Sequence, residues 1–329
     1  MKILILGGTR FVGRHFVESL LASDGNKHDI TIYQRGKTNA DFFPNISRIY
    51  GDREESSYEE LAGNYYDMVI DFCGYHPASL KRLIDRMQDR IGHYIFISTV
   101  SVYDTTIQRT YDEDAPVLDY NSMLDKQGDA SYYGERKSEC ERLLMDVIPL
   151  KLTILRPGLI YGQYDHTDRL YYWIYRCVNN SEFIVPAEAS MYKMNFTYVN
   201  DLAHIILGAM ENRLPKVIYN ATTQEASSLS YKLYSIMSNA STHPKLYKMS
   251  QLMLDHQGLN PWTKFPVYYP QNLVYPCHSI ESDSGLKFSS FSSSLESLIP
   301  YYKELGYPIP NYGLSLAEEV KIIQRFTQV

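Results

Sequence analysis

A tyrosine and a lysine stand four residues apart, at Tyr133 and Lys137, in a segment predicted to be helical from 133 to 146. Residues at this spacing lie on one face of a helix, so the phenol and the ammonium would be neighbours. A nearby ammonium lowers the pKa of a phenol from about 10 towards working pH, and the phenolate can then accept or return a proton. The alternative is a chance surface pair, because the chain holds 30 tyrosines. Tyr132 is the rival phenol, but it meets Arg136 at the same spacing.

Hydroxyl side chains follow a strand-like apolar segment at Ser98, Thr99 and Ser101. Ligands of parallel sheets bind at the carboxyl ends of the strands, which is where these hydroxyls would lie. A hydroxyl there can hydrogen-bond a substrate oxygen as that oxygen changes between alcohol and carbonyl. We choose Thr99 as the third catalytic group, with Ser98 or Ser101 as its substitute. The plain alternative is an ordinary strand-end cap on a turn.

The elements that must position these side chains begin at the first residue. Lys2 to Leu6 is a short apolar run, typical of a strand buried on both faces, and a helical apolar stripe begins at Phe11. Glycines between them would let backbone N–H groups and the positive end of a helix dipole converge on a pyrophosphate. The predicted cofactor turn comprises Gly7, Gly8, Thr9, Arg10, Phe11, Val12 and Gly13. The alternative is a tight turn that binds no ligand.

Strand-like and helix-like segments alternate through the first half of the chain, which predicts parallel strands with helices on both faces. We therefore predict an α/β fold, a Rossmann-type doubly wound parallel sheet with a smaller, partly interleaved C-terminal substrate lobe. The predicted dinucleotide-binding domain is 1–162, with 196–221 returning to it. The predicted substrate-binding lobe is 163–195 and 222–329, in which the serine-rich segment 284–294 is expected to form a surface loop.

Composition excludes several classes of function. The chain has 329 residues, 44% hydrophobic and 21% charged, with a net charge of -6, which gives no support to binding of nucleic acid or acidic membranes. Four dispersed cysteines without a Cys-x-x-Cys pair favour a reduced, cytoplasmic location over a disulfide framework. The nine histidines form no ligand pattern, so we expect no catalytic metal. The sequence shows neither a signal peptide nor a run long enough to span a bilayer.

These motifs together resemble the extended short-chain dehydrogenases/reductases, the superfamily of nucleotide-sugar epimerases and dehydratases. The resemblance runs in order from residue 1 to about 221. Its segments are Gly7 to Gly13, Gly51-Asp52, Asp71 to Gly74, Ser98 to Tyr103, Tyr133 to Lys137, Arg156 to Gly162, Phe196 to Leu202 and Tyr219-Asn220. It implies an NAD(P)-dependent enzyme that acts on a sugar-like hydroxyl or carbonyl, with a nucleotide-sugar as the expected small-molecule substrate.

The resemblance also implies residue roles. Tyr133 would be the acid/base, Lys137 would bind the nicotinamide ribose and tune the tyrosine, and Thr99 would complete the catalytic set. Asp52, with Arg53 beside it, would contact the adenine end of the cofactor. The remaining cofactor-lining residues would be Phe72, Cys73, Gly74, Ser98, Pro157, Gly158 and Ile160. Many relatives pair the helices at 77–89 and 133–146 across subunits, so a homodimer is plausible.

The sequence departs from the family pattern in ways that bear on function. No acidic residue ends the second strand, whereas Arg10, Arg35 and Lys37 could bind a 2'-phosphate, so we favour NADP over NAD, the alternative being a solvated loop. The Asp-Glu pair of 4,6-dehydratases is replaced by Val100-Ser101, which leaves epimerisation or carbonyl reduction. The Gly-Gly-Thr-Arg-Phe form also resembles a branch that includes chloroplast stem-loop-binding proteins. A non-catalytic or RNA-associated relative, with NAD(P) as a structural or sensing ligand, is therefore the alternative function.

Overall fold

The structure is a computed structural model that describes residues 1–24, 27–107, 110–125, 130–147, 149–223 and 225–327. In those residues the strands are β1 Lys2–Leu6, β2 Asp29–Gln34, β3 Ser47–Tyr50, β4 Tyr66–Asp71, β5 Ile91–Ile97, β6 Lys151–Arg156, β7 Leu159–Tyr161, β8 Glu182–Pro186, β9 Lys193–Met194, β10 Phe196–Tyr198, β11 Ile218–Asn220, β12 Ser227–Ser228 and β13 Lys245–Met249. The helices are α1 Phe11–Asp24, α2 Pro77–Met87, α3 Tyr133–Met145, α4 Arg169–Asn179, α5 Val199–Met210, α6 Leu229–Ala240, α7 Gln251–His256, α8 Pro261–Lys264, α9 His278–Ser284, α10 Phe291–Glu304 and α11 Leu316–Thr327.

The largest sheet has seven strands in the order β11-β6-β5-β4-β1-β2-β3, and every neighbouring pair is parallel. The chain order reverses between β1 and β4, and the loops that leave these two strands therefore diverge to opposite sides. A crevice at their carboxyl ends follows from this topology. The predicted doubly wound Rossmann-type sheet is confirmed.

The sheet is covered on both faces because its strands are apolar on both faces. Ile3, Leu4 and Ile5 of β1 are all 0% exposed. On one face α1 packs against α5. On the other face α2 and α3 bury Leu80, Leu83 and other apolar side chains in a cluster with strands β4 and β5. Burial from both sides explains why alternation of polar and apolar residues is missing from the central strands.

The chain forms two compact units, the first comprising 1–158, 199–223 and 275–288 and the second comprising 159–198, 224–274 and 289–329. The predicted division differs from these units in three respects, the smallest being that 222–223 belong to the first unit. Residues 275–288 belong to the first unit because α9 packs against β11 and α5. Residues 159–162 and 196–198 belong to the second unit because β7 pairs with β10 rather than with the large sheet.

The second unit contains three small strand pairs, β7 with β10, β8 with β13 and β9 with β12, and its helix α6 packs against α4 and α10. The expected surface loop at 284–294 is wrong over its last part, since α10 begins at Phe291. The hydroxyl of Ser290 accepts a hydrogen bond from the Ser293 N–H and caps this helix. Serine favours helix N-caps as well as loops, which is why composition misled here.

Candidate functional site

The turn after β1 favours glycine at two positions, by backbone conformation at Gly7 and by space at Gly13. Gly7 has a φ of +88°, a backbone conformation that side chains with a Cβ rarely adopt. A Cβ on Gly13 would lie 2.2 Å from the Gly7 carbonyl oxygen, so the first turn of α1 sits directly on the strand end. This brings the N–H groups of the helix N-terminus to the carboxyl end of β1, the arrangement that a pyrophosphate needs.

The loop after β2 is tied to this turn through Thr9. The hydroxyl of Thr9 donates to the Thr38 carbonyl at 3.1 Å, and the Asn39 amide donates to the Thr9 carbonyl at 3.0 Å. Arg35 and Lys37 lie on the tied loop and are exposed, as is Arg10 on the turn itself. The structure therefore brings the basic residues singled out for a 2'-phosphate onto neighbouring segments.

Asp52 follows β3 and faces the same loop. One of its carboxylate oxygens lies 3.9 Å from Nη1 of Arg35, and the other accepts a hydrogen bond from the Glu54 N–H. The Arg35 side chain is 60% exposed, so this ion pair is weak and open to replacement by a ligand. Gly51 lies under the Tyr33 ring, where a Cβ would meet the phenol oxygen at 2.1 Å.

Arg53 is directed inward, to a partner that the sequence analysis did not single out. Its guanidinium donates to both carboxylate oxygens of Asp71, at 2.8 and 3.0 Å, and both residues are buried. Asp71 also accepts from the Tyr94 hydroxyl at 2.7 Å and from the Cys73 N–H at 2.9 Å. Burial alone would raise the pKa of Asp71, but the guanidinium and these hydrogen bonds outweigh it and hold that pKa below its ordinary value. The sequence did offer a signal for this buried partner, because Asp71 is a carboxylate at the end of an apolar strand.

The turn after β4 packs against the glycine turn. The Phe72 N–H donates to the Leu6 carbonyl at 3.0 Å, and a Cβ on Gly7 would lie 3.2 Å from the Cys73 sulfur. Gly74 is equally confined, since a Cβ there would lie 2.6 Å from the Phe96 ring. Burial raises the pKa of the Cys73 thiol, although Arg53 opposes the shift. The thiol therefore stays protonated, which suits a packing residue and not a nucleophile.

Helix α3 begins at Tyr133 and approaches the turn after β5 very closely. A Cβ on Gly134 would lie 2.2 Å from the Ser101 carbonyl oxygen and 2.9 Å from the Leu118 side chain. Glycine at this position lets the helix backbone rest on the turn and sets Tyr133 beside the segment that carries Thr99. The sequence analysis passed over Gly134, although a glycine in the first turn of a predicted helix is unusual enough to notice.

Lys137 lies one helical turn further on and is 1% exposed. Its ammonium donates to the Ile97 carbonyl at 2.6 Å and to the Gly74 carbonyl at 3.0 Å, and lies 4.0 Å from the Phe96 ring centroid. Burial lowers the pKa of Lys137 to about 8, against smaller opposing effects of neighbouring anionic groups. The ammonium is thus held under the carboxyl ends of β4 and β5.

The hydroxyls after β5 have different partners. Thr99 is buried, and its oxygen accepts from the Ser101 N–H and donates to the Ser101 hydroxyl, both at 3.1 Å. Ser98 donates to the buried carboxylate of Glu141 in α3. Since Thr99 bonds only to a turn neighbour whereas Ser98 is bonded to a carboxylate of another element, Thr99 is the better placed to bind an added oxygen.

Glu141 belongs to a buried network that fixes α3 against the sheet. Arg156, the last residue of β6, donates to Glu141 from Nη2 at 2.6 Å and to the Tyr103 hydroxyl at 2.9 Å. The Tyr103 hydroxyl in turn donates to Asn220 of β11 at 2.7 Å. The network joins α3, the turn after β5 and the end of β6. Neither Glu141 nor Arg156 was assigned a role from sequence.

The segment after β6 is anchored beside Thr99 at its start. The Pro157 carbonyl accepts from the Val100 N–H at 3.0 Å. Gly158 ends the first stretch of the first unit, whereas Ile160 lies in the second unit, paired with Thr197. In the first unit the structure thus gathers the turns that carry Gly7, Gly74 and Thr99 and the helix α3 that carries Tyr133 and Lys137.

Two further properties concern the described residues as a whole. They contain no group of three or more His, Cys, Asp or Glu side chains placed to hold a metal ion. Among the helices traced in those same segments, none has the length and apolar character required to cross a membrane.

Comparison with known proteins gives matches over most of the chain. A model of the NAD dependent epimerase/dehydratase family matches residues 3–222. A curated relative, the chloroplast stem-loop binding protein of 41 kDa b from Arabidopsis thaliana, is 26% identical over 241 residues, 68% of this chain. The match spans 59% of that protein's own length.

Solved structures resemble this chain in fold. A UDP-glucuronic acid 4-epimerase from Bacillus cereus, in complex with UDP-glucuronic acid and NAD, superimposes with a TM-score of 0.69 at 18% identity, covering 93% of this chain and 100% of that one. A dTDP-glucose 4,6-dehydratase from Bacillus anthracis in complex with NAD gives a TM-score of 0.70 at 13% identity, covering 92% and 97% of the two chains.

Proposed function

Because the chain belongs to the NAD-dependent epimerase/dehydratase family, we propose that it is an NAD(P)-dependent epimerase or reductase acting on a nucleotide-sugar. The observation that carries this proposal is the placement of Lys137 under Gly74 and Ile97, one helical turn from Tyr133. Gly74 belongs to the turn after β4, which packs against the glycine turn after β1. The substrate class rests on the epimerase from Bacillus cereus, whose structure holds UDP-glucuronic acid. We also propose that the second unit selects the substrate.

The glycine turn fits a dinucleotide because a Cβ is excluded at Gly13 and strained at Gly7. Gly7 to Gly13 would hold the pyrophosphate, Asp52 the adenine end, and Phe72 to Gly74 the middle of the cofactor. Lys137 would hold the ribose next to the nicotinamide. Ser98 and Arg53 would support the cofactor-binding residues without contacting the cofactor through their side chains, since these side chains bond to Glu141 and Asp71.

In the proposed mechanism, Tyr133 removes the proton from a substrate hydroxyl and later returns it. The Lys137 ammonium stabilises the phenolate by its charge, and Thr99 donates a hydrogen bond to the substrate oxygen. A bound nicotinamide supplies the centre that accepts and gives back a hydride. In an epimerase the ketone would turn its other face to the nicotinamide before the hydride and the proton return. In a reductase Tyr133 would instead give its proton to a substrate carbonyl that receives the hydride, and the alcohol would be released.

We further propose that NADP is preferred over NAD. Arg10, Arg35 and Lys37 are exposed on two segments that Thr9 ties together, and the Arg35–Asp52 pair is weak enough to yield to a phosphate. Elimination of water is disfavoured because Val100-Ser101 follows Thr99. The four cysteines are free thiols, in keeping with the proposed cytoplasmic location.

The experiment that tests the enzymatic proposal is incubation with a panel of nucleotide-sugars and substoichiometric NADP or NAD, without an added reductant. Product formed with no net change of cofactor absorbance identifies an epimerase. Stoichiometric cofactor oxidation, measured with excess NADPH and a keto-sugar, identifies a reductase. Cofactor binding without turnover on any panel member counts against both.

A second candidate function is RNA association, which the 26% identity to the chloroplast stem-loop binding protein favours. The net charge of -6 opposes it. Binding to a stem-loop RNA and to a single strand, measured from 50 to 200 mM salt, separates the two candidates. Micromolar binding with a steep salt slope, together with no turnover, supports RNA association.

A homodimer through α2 and α3 remains a proposal. Exposed charged residues of the two helices include pairs within each helix, Lys81 with Asp85 and Arg142 with Glu139. Light scattering coupled to size-exclusion chromatography distinguishes a dimer of about twice the 38.1 kDa chain from the monomer.

A further inference from the structure

The Lys137 ammonium is enclosed by groups of the first unit on several sides. Two backbone carbonyls accept its hydrogen bonds, and the Phe96 ring lies 4.0 Å away. One carbonyl belongs to Gly74, a confined glycine in the turn after β4, and the other to Ile97, the last residue of β5. A cation held in this way loses most of its hydration, so any group between it and solvent controls how much water reaches it.

Tyr75 occupies that intermediate position. Its ring centroid lies 5.6 Å from the Lys137 nitrogen and 6.4 Å from the ring centroid of Tyr133, with the two rings inclined by 47°. Tyr75 is 47% exposed, whereas Lys137 is 1% exposed. One side of the Tyr75 ring therefore faces solvent while the other faces the lysine and the catalytic tyrosine.

We propose that Tyr75 is a positioning residue whose ring shields the Lys137 ammonium from bulk water and forms a wall for the ring-shaped part of a ligand beside Tyr133. The shielding of Lys137 by Tyr75 is inferred from contacts within the protein alone. The wall part rests on the proposed function. An aromatic face is suited to both tasks, because it attracts the ammonium electrostatically and stacks on planar or sugar rings.

The backbone holds Tyr75 in this place. Its N–H donates to the Cys73 carbonyl at 3.0 Å, and the preceding Gly74 is pressed between the Phe96 ring and the Asp71 carboxylate. The other ionisable groups that act on Lys137 or border it are Asp71 of β4, Arg53 after β3, Cys73 after β4, Cys140 and Glu141 of α3, and Tyr133. Replacing Tyr75 leaves all of them in place. Loss of the ring's attraction for the ammonium would by itself lower the pKa of Lys137, so a rise of that pKa in a variant reports added hydration.

Shielding is tested on the ligand-free protein by following the ¹³Cε resonance of Lys137 through a pH titration, with Lys137→Met used to assign the signal. We expect Tyr75→Phe to titrate like the unmodified protein and Tyr75→Ala to titrate at least one pH unit higher. Tyr65→Ala, at another half-exposed tyrosine, should change nothing. Tyr75→Gln, which keeps the length but admits water, replaces the alanine variant if circular dichroism shows that the latter is unfolded. An unshifted titration in Tyr75→Ala, or in Tyr75→Gln where that variant takes its place, overturns the shielding proposal.

The wall is tested by cofactor affinity in the same variants. Tyr75→Ala should bind NADP or NAD at least fivefold more weakly than Tyr75→Phe, and equal affinities overturn this part. Failure of the unmodified protein to bind either cofactor would defeat the proposed function while leaving the lysine titration valid, so the two failures are distinguishable.

Discussion

The backbone of Gly134 in α3 rests on the carbonyl of Ser101, at a distance where a Cβ would be 2.2 Å from the oxygen. This contact fixes the height of α3 over the turn after β5 and therefore the position of Tyr133 relative to Thr99. The geometry of the proposed catalytic residues thus depends on a residue that has no side chain.

We expect Gly134→Ala to destabilise the protein by about 1–3 kcal/mol, since the backbone must shift to relieve the overlap. In an unhindered helix the same change would stabilise by about 1 kcal/mol, so the sign of the effect is informative. Urea unfolding measures it. Gly63→Ala is the matched control, because nothing lies within 4 Å of a Cβ there. A stabilised Gly134→Ala protein would mean that α3 does not rest on the turn.

Asp71→Asn should destabilise the protein by about 3–5 kcal/mol at pH 7, because it leaves the buried Arg53 guanidinium without its counter-charge. Asp85→Asn, which breaks an exposed pair, should cost about 0–1 kcal/mol. The pKa of Asp71 is lowered in the folded protein, so its contribution to stability is present above its unfolded pKa and is lost as pH falls through the folded one. The difference between the variant and the unmodified protein should therefore shrink below about pH 4. A difference that is constant from pH 7 to pH 3 contradicts the ion pair.

Lys137 predicts a pH effect of the same direction, but at alkaline pH. Burial lowers its pKa to about 8 in the folded chain, so the unfolded chain binds more protons from there up to the ordinary lysine value. The unmodified protein should gain about 2–3 kcal/mol relative to Lys137→Met between pH 8 and pH 10, in the absence of cofactor. Thermal unfolding of the two proteins in parallel measures the gain. Parallel pH curves would show that the ammonium is hydrated.

Cofactor preference is tested at the loop after β2. The double change Arg35→Ser with Lys37→Ser should weaken NADP binding at least tenfold while leaving NAD binding within twofold, because only NADP carries the additional phosphate. Lys81→Ser is the control, as an equally exposed cation on α2. Calorimetry with both cofactors at constant salt gives the ratio. An equal loss of affinity for both cofactors would mean that Arg35 and Lys37 maintain the structure of the loop and do not bind the additional phosphate.

The sequence was sufficient for the sheet and for the helix that carries Tyr133 and Lys137, because both depend on local pattern. The run from Lys2 to Leu6 and the glycines after it predicted the first strand, turn and helix. The spacing of Tyr133 and Lys137 predicted one helical face. The partners that fix these elements were not predictable, since Asp71 meets Arg53 and Ser98 meets Glu141 only once distant segments are packed together.

The division of the chain was hardest to predict for the same reason. Residues 275–288 return to the first unit through contacts of α9 that no local periodicity announces. The serine-rich composition of 290–294 does not distinguish a loop from a helix start, yet Ser290 caps α10 and the serines after Phe291 lie within that helix. Long-range packing decided both cases.

The most direct measurement of the central claim compares the unmodified protein with Tyr133→Phe on whichever nucleotide-sugar is turned over. The variant keeps the ring and the Lys137 site but lacks the hydroxyl that carries the proton. We predict a loss of kcat of at least 10²-fold with cofactor affinity within twofold, in the range expected for general acid–base catalysis. Turnover retained within threefold would contradict the assignment of Tyr133 as the acid/base.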